Sequence, residues 1–335
     1  MLLEGSLDIL SSNTTFASAG NLTIVSTSDG ASGNGAISQL ATGASVTGNV
    51  TVQRYLSGEG RIWRYLSSPV QDASVAEWQD DFPITGTFND PSTGTGIVSN
   101  SPSLYYFDES LGGTFDDRYV AYPTSGNAVD NLLVPGRGYT AFIREDVNPT
   151  TVTVDGLVNQ GTVNYNVTYM STGDASDGYN LVGNPYPSSI DWDDPGWTKT
   201  AIDGTIAIRD NPTGVFQYWN GSVGGITNGQ IAMGQAFWVR TSSGSAVLTS
   251  TEEVKTSSGT NAVLFDIEDP LPNQIIIVLS DGTKEDKTYT SVFDGATNGF
   301  DSQFDALKLD NDIFDLSTYD SEGSRLAINF FPSFN

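Results

Sequence analysis

Apolar and polar positions alternate along this chain in short bursts of period two, not at helical spacing. Leu7-Asp-Ile-Leu10, Leu22-Thr-Ile-Val25, Ala36-Ile-Ser-Gln-Leu40 and Val46-Thr-Gly-Asn-Val50-Thr-Val52 are punctuated by Gly, Ser and Asn at intervals of roughly ten residues. Such even spacing predicts either the last rungs of a stacked β-solenoid or the first strands of a sandwich. Amphipathic helices are not expected beyond one short turn at Ser74-Val-Ala-Glu-Trp-Gln-Asp80.

Between residues 54 and 245 the pattern repeats itself. Arg64-Tyr-Leu-Ser-Ser-Pro69, Ser103-Leu-Tyr-Tyr-Phe-Asp108 and Val134-Pro-Gly-Arg-Gly-Tyr139 followed by Thr-Ala-Phe-Ile-Arg144 form one series. Tyr179-Asn-Leu-Val-Gly-Asn-Pro185, Val215-Phe-Gln-Tyr-Trp-Asn220 and Ile231-Ala-Met-Gly-Gln-Ala-Phe-Trp-Val-Arg240 form a second, in the same order. Each landmark has a physical reading. A strand stops at its proline for want of an N–H, an aromatic strand places rings on both faces, and small residues permit a sharp turn before the next strand. Two related β-units packed as a sandwich, with second-copy aromatics near their shared interface, are the expected product.

Beyond residue 250, Asn273-Gln-Ile-Ile-Ile-Val-Leu279, Thr288-Tyr-Thr-Ser-Val-Phe293 and Leu326-Ala-Ile-Asn-Phe330 predict at least three more strands, read as a small immunoglobulin-like sandwich. Ile275-Ile-Ile-Val-Leu279, the longest apolar run, is expected to be one buried strand; it is far too short to cross a membrane. The fold class expected is therefore all-β: a solenoid-like segment at 1–52, a duplicated sandwich or jelly-roll-like unit at 53–250 and a C-terminal sandwich at 251–335.

Composition narrows the chemistry. The 335 residues include 40 acidic and 14 basic ones, a net charge of −26 that repels phosphate backbones and anionic lipid, so neither nucleic acid nor membrane insertion is expected. With no cysteine and no histidine, disulfides, thiolate metal sites, Ser-His-Asp machinery and His-ligated zinc or iron are all excluded. No signal peptide is visible at Met1-Leu-Leu-Glu-Gly5, and both ends read as cut from a longer β pattern.

Arg54-Tyr-Leu56, Arg61-Ile-Trp-Arg-Tyr-Leu-Ser-Ser-Pro69, Asn180-Leu-Val-Gly-Asn-Pro-Tyr-Pro-Ser-Ser-Ile-Asp-Trp192, Gly295-Ala-Thr-Asn-Gly-Phe-Asp301 and Asp305-Ala-Leu-Lys-Leu309 resemble segments of large exported surface proteins of Bacteroidetes. Those proteins carry β-rich repeats followed by a C-terminal sorting domain of the type IX secretion system, and include gliding adhesins and polysaccharide-handling proteins. The resemblance spans most of residues 45–335 and implies export to the cell surface or beyond. It implies contact with the type IX machinery through a sorting domain that these residues do not contain. It marks architecture, not a reaction.

Two constellations are candidates for binding. Asp191-Trp-Asp-Asp-Pro-Gly-Trp197 puts Trp192 and Trp197 beside Asp191, Asp193 and Asp194, the ingredients of a sugar platform, with Trp219 and Trp238 as further rings. The plainer reading is a proline-bounded loop whose rings are packing residues. Asp310, Asp312 and Asp315 in Leu309-Asp-Asn-Asp-Ile-Phe-Asp315 are candidate Ca²⁺ ligands, although the glycine and terminal glutamate of an EF-hand loop are missing. Asp281-Gly-Thr-Lys-Glu-Asp286 reads as a hairpin turn, and Arg61, Arg64, Arg137 and Arg240 as structural ion pairs or cation–π contacts. The functional expectation is a non-catalytic adhesive module that meets glycans or other extracellular components. The alternatives are a carbohydrate-binding module accessory to a polysaccharide-degrading enzyme, and a two-carboxylate glycosidase for which 40 acidic residues offer no way to choose a pair.

Overall fold

The computed structural model describes residues 1–28, 33–58, 61–92, 99–144, 149–210, 213–256 and 274–333. About 42% of the chain is strand and 6% helix, which makes the fold all-β. Short polar turns carry the chain between strands too brief to bury a core alone, so order comes from stacking.

Residues 1–52 stack in parallel. Leu2–Leu3 lies beside Leu22–Ile24, which lies beside the start of Val50–Leu56; Ser6–Leu7 pairs with Ala36–Ile37, and Thr15–Ala17 with Ser45–Thr47. Parallel pairing at three successive places on each turn is the geometry of a solenoid rung. The coil does not end in a linker: Val50–Leu56 is both the start of a new rung and a full sandwich strand, pairing over seven residues with Thr150–Val158. The rungs are also fastened sideways. Gln160 exchanges bonds of 2.9 Å with the Val46 N–H and carbonyl, and Glu252 accepts from the N–H groups of Leu40 and Gly161 at 3.1 and 2.7 Å.

The repeated landmarks form two sandwich-like units of matching plan. In the first, Ile62–Leu66 pairs antiparallel with Tyr139–Ile143, and in the second, Tyr179–Gly183 pairs with Ala236–Thr241. The register is the same: Leu66 opposite Tyr139 and Arg64 opposite Ala141 have as counterparts Val182 opposite Phe237 and Asn180 opposite Val239. Strands flanking the landmarks make the facing sheets, Val50–Leu56 with Thr150–Val158 and Val163–Tyr165 with Val247–Ser250.

The units meet about a local two-fold axis. Leu66 bridges to Gln235 while Val182 bridges to Arg137, and the Ser67 N–H donates to the Gly234 carbonyl as the Gly183 N–H donates to that of Gly136, both at 2.9 Å. Gly136 and Gly234 hold φ of 75° and 73°, a left-handed turn that glycine adopts without strain. Where the strands cross, there is room for one side chain. Ser67 occupies it, and a Cβ on its counterpart Gly183 would stand 2.3 Å from the Ser67 Cβ.

The units differ most in what they insert between their first two landmarks. Between its first two landmarks the second unit inserts Trp197–Thr200, which pairs with Val247–Ser250, and Ile202–Asp210, which separates Ala236–Thr241 from Val215–Trp219. The first unit instead inserts the helix Val75–Asp81, close to the predicted turn. Its carboxylates take the place of a neighbouring strand: Glu77 accepts the Asp155 N–H at 2.7 Å and Asp81 the Thr153 N–H at 2.6 Å, covering an edge that would otherwise invite pairing.

Burial pushes the Asp81 carboxyl up to about 6 against the pull of the Thr153 N–H, and burial likewise pushes Asp305 up to about 6. A carboxyl raised above its unfolded value holds its proton better when folded. Stability is therefore lost as pH climbs from about 4 through 6. The urea midpoint is expected to be higher at pH 5 than at pH 7.5, with the two groups together worth about 1–3 kcal/mol after solvent screening. Equal midpoints would refute this.

Period-two alternation sorts the side chains into three cores. Leu66, Tyr139, Ala141 and Ile143 face the first unit's interior with Trp78, Phe82 and Val152. Val182, Phe237, Val239, Trp192, Trp197 and Trp219 fill the second. The opposite faces, Tyr65 and Phe107 from one unit and Tyr179, Leu181, Phe216, Tyr218 and Trp238 from the other, share a central core with Tyr289, Ile328 and Phe330 of the C-terminal segment.

In that segment, Gln274–Ser280, Glu285–Val292, Arg325–Phe331, Ala306–Leu307 and Thr318–Tyr319 form one mixed sheet in which Glu285–Val292 and Arg325–Phe331 run parallel. Among the described residues it is a single layer, whose facing layer is the second unit, in place of the expected self-contained immunoglobulin-like pair of sheets. The Leu309 N–H donates to Tyr218 Oη at 2.7 Å and Tyr179 Oη to the Leu307 carbonyl at 3.1 Å across that contact. The expectation that Ile275–Leu279 is buried is corrected. Among the described residues Gln274–Ser280 is the sheet's edge, and Ile275, Ile277, Val278 and Leu279 are 40–49% exposed.

Candidate binding site

The Asp191–Trp197 loop is an internal closure of the second core, not a platform. Trp192 is fully buried and donates through Nε1 to the Gly204 carbonyl at 2.8 Å; Trp197 donates to the Asp191 carbonyl at 2.7 Å, and Trp219 to Asp193 Oδ2 at 2.7 Å. Trp192 packs 5.1 Å from Trp197, and Trp238 lies in the central core 4.8 Å from Phe107. All four rings are no more than 7% exposed, so none can stack on a sugar.

The carboxylates of the loop are equally committed. Asp191 accepts from the Asp193 N–H and Asp194 from the Gly196 N–H, at 2.8 and 2.7 Å, as turn carboxylates do. Burial pushes the Asp191 carboxyl up, and burial pushes the Lys199 amine down. Lys199 lies 4.0 Å over the Trp192 ring and donates to the Trp192 carbonyl at 2.7 Å.

The expected calcium run is also corrected. Asp310 pairs with Arg325 at 2.6 Å, Asp312 with Arg209, and Asp315 with Arg325 at 3.5 Å, so each carboxylate has a cation from the chain itself. Among the described residues no group of three carboxylates is gathered to hold a metal ion.

Partly exposed rings gather elsewhere. Trp63, Tyr105 and Phe142 stand on three neighbouring strands, Ile62–Leu66, Leu104–Phe107 and Tyr139–Ile143, on the sheet face that also carries Tyr65 and Phe107. Trp63 lies 5.8 Å from Tyr105 and 5.1 Å from Phe142, with ring planes tilted by 56° and 49°. Arg61 and Arg144 lie 5.1 and 5.8 Å from the Phe142 centroid, and neither makes an ion pair with a described residue. In contrast Arg118 is spent on Asp177 at 3.3 Å and Arg240 on Asp203 at 3.0 Å. The sequence signal for this cluster was present in Arg61-Ile-Trp-Arg-Tyr65 and Ala141-Phe-Ile-Arg144, where arginine flanks an aromatic on the same face of a strand.

A second arrangement absent from the sequence reading lies within the C-terminal sheet. Asp286, assigned to a turn, is an inward strand residue that meets Lys308.

Comparison with protein-family models, curated proteins and solved structures found no match to the chain. Fold and geometry therefore carry the functional argument.

Proposed function

We propose that this chain is a non-catalytic module of an exported bacterial surface protein, and that it attaches to glycans through the Trp63, Tyr105 and Phe142 cluster. The observation that carries the reading is the pairing of partly exposed rings with two arginines lacking described acidic partners, in a chain with a net charge of −26. Ring faces accept the C–H side of a pyranose, and a guanidinium fork spans neighbouring hydroxyls. Tilted rings fit one glycan strand better than a flat crystalline surface. Support for a non-catalytic role comes from the acidic residues that stood out in sequence, each of which is engaged by a backbone N–H, an indole N–H or a cation. The solenoid-to-sandwich build supports a surface location.

Glycan-array screening of the intact chain is expected to give a restricted set of binders that Trp63→Ala abolishes while Trp219→Phe, at a buried ring, leaves them in place. An array unchanged by Trp63→Ala would reject the platform. New reducing ends from a polysaccharide panel would reject the non-catalytic reading.

A further inference from the structure

The side chains of Lys308 and Asp286 are both completely buried, and the ammonium nitrogen lies 2.7 and 2.6 Å from the two carboxyl oxygens. The other close lysine pairs meet more accessible carboxylates, Glu252 at 16% exposure and Glu285 at 53%. Two backbone N–H groups, of Lys287 and Leu316, donate to Asp286 Oδ1 and Oδ2 at 2.9 and 2.6 Å. A second carboxylate, Asp315, is 4.0 Å from the Lys308 nitrogen, and the Tyr218 ring is 5.8 Å from it. A buried nucleophile, a buried carboxyl, donors aimed at the carboxyl oxygens and a partly exposed neighbouring acid thus converge.

We propose that Lys308 and Asp286 condense to an intramolecular isopeptide bond. The Lys308 ammonium gives a proton to the Asp286 carboxyl, and the freed amine attacks Cγ. The C–N bond forms, the carboxyl oxygen that stays is held by the N–H group that already donates to it, Lys287 on Oδ1 or Leu316 on Oδ2, and the C–O bond to the other oxygen breaks. The second amine proton leaves with the hydroxyl as water, relayed by Asp315. An ammonium and a carboxylate become an amide and one water, with no change in oxidation state.

Two physical arguments favour the product. A buried ion pair sits badly in a low-dielectric interior, and a neutral amide removes both charges. Holding the reacting groups in contact replaces a bimolecular encounter, an advantage of about 10⁵ M or more in effective concentration. Burial also pushes the Lys308 amine down, toward its nucleophilic form, against the opposing influence of Asp286. In a chain without cysteine, such a bond is an available covalent staple.

The test is mass spectrometry of the whole chain under denaturing conditions, followed by tryptic mapping. The expected result is a chain one water lighter than its sequence, with Glu285-Asp286-Lys287 joined in a branched peptide to the fragment that carries an uncleaved Lys308. Lys308→Arg, which keeps the cation but cannot be acylated this way, is expected at full sequence mass with no branched peptide. Wild-type protein at full mass after prolonged incubation would overturn the proposal. So would a lost water mapped to a succinimide at Asp281-Gly282.

Discussion

Trp192→Ala is expected to cost the fold about 3–5 kcal/mol, because it empties the site of the most deeply buried tryptophan in the second core and strands a buried acceptor. Trp192 touches Trp197 and Phe237, its N–H serves the Gly204 carbonyl, and Lys199 lies on its face. The neighbouring strands Trp197–Thr200 and Ile202–Asp210 lose support together. Urea denaturation should show the midpoint falling steeply, with much of the protein expressed insoluble. Trp63→Ala, at a partly exposed ring, is expected to cost about 1–2 kcal/mol and to act on ligand binding instead. A Trp192→Ala protein of ordinary stability with altered glycan binding would reverse the roles assigned to the two rings.

Gly183→Ala is expected to be nearly as damaging, at about 3 kcal/mol, although it adds a single methyl group. The new Cβ would meet the Ser67 Cβ at 2.3 Å and the Arg137 carbonyl oxygen at 2.6 Å, so the two units must part at their axis. The Gly183 N–H bond to Gly136 and the Val182 bridge to Arg137 would be strained together. Adding Ser67→Gly should recover part of the loss, since it removes one of the two obstructing atoms. A double-mutant cycle on unfolding free energies measures this directly, and strict additivity would show that the two residues do not share one space.

Much of the architecture was legible because its determinants are local. Pro69 and Pro185, the glycines at 136 and 234, and the aromatic strands recur in sequence, and they fix the same register in both units. The ten-residue spacing before residue 52 left solenoid and sandwich open, and the chain uses Val50–Leu56 for both.

What the sequence did not show is decided by distant partners. Trp192 and Trp197 look available beside three carboxylates, yet the Gly204 carbonyl and the second core lie on strands folded over them. Asp310, Asp312 and Asp315 look free until Arg209 and Arg325 arrive from elsewhere in the fold. Ile275–Leu279 has the composition of a buried strand, but edge or centre is a property of sheet order, which no local pattern encodes. Asp286 follows a Gly-containing turn closely enough to be read as part of it, and its inward aim depends on the register with Leu279.

The strand shared by coil and sandwich bears on how the molecule would carry tension. A pull along Val50–Leu56 runs lengthwise between two ladders, Leu22–Ile24 on one side and Thr150–Val158 on the other. Ladder bonds lie across the strands, so such a load shears them as a set and does not peel them one at a time. The junction between coil and sandwich is therefore built as a mechanical clamp, where rupture demands simultaneous failure of many weak links.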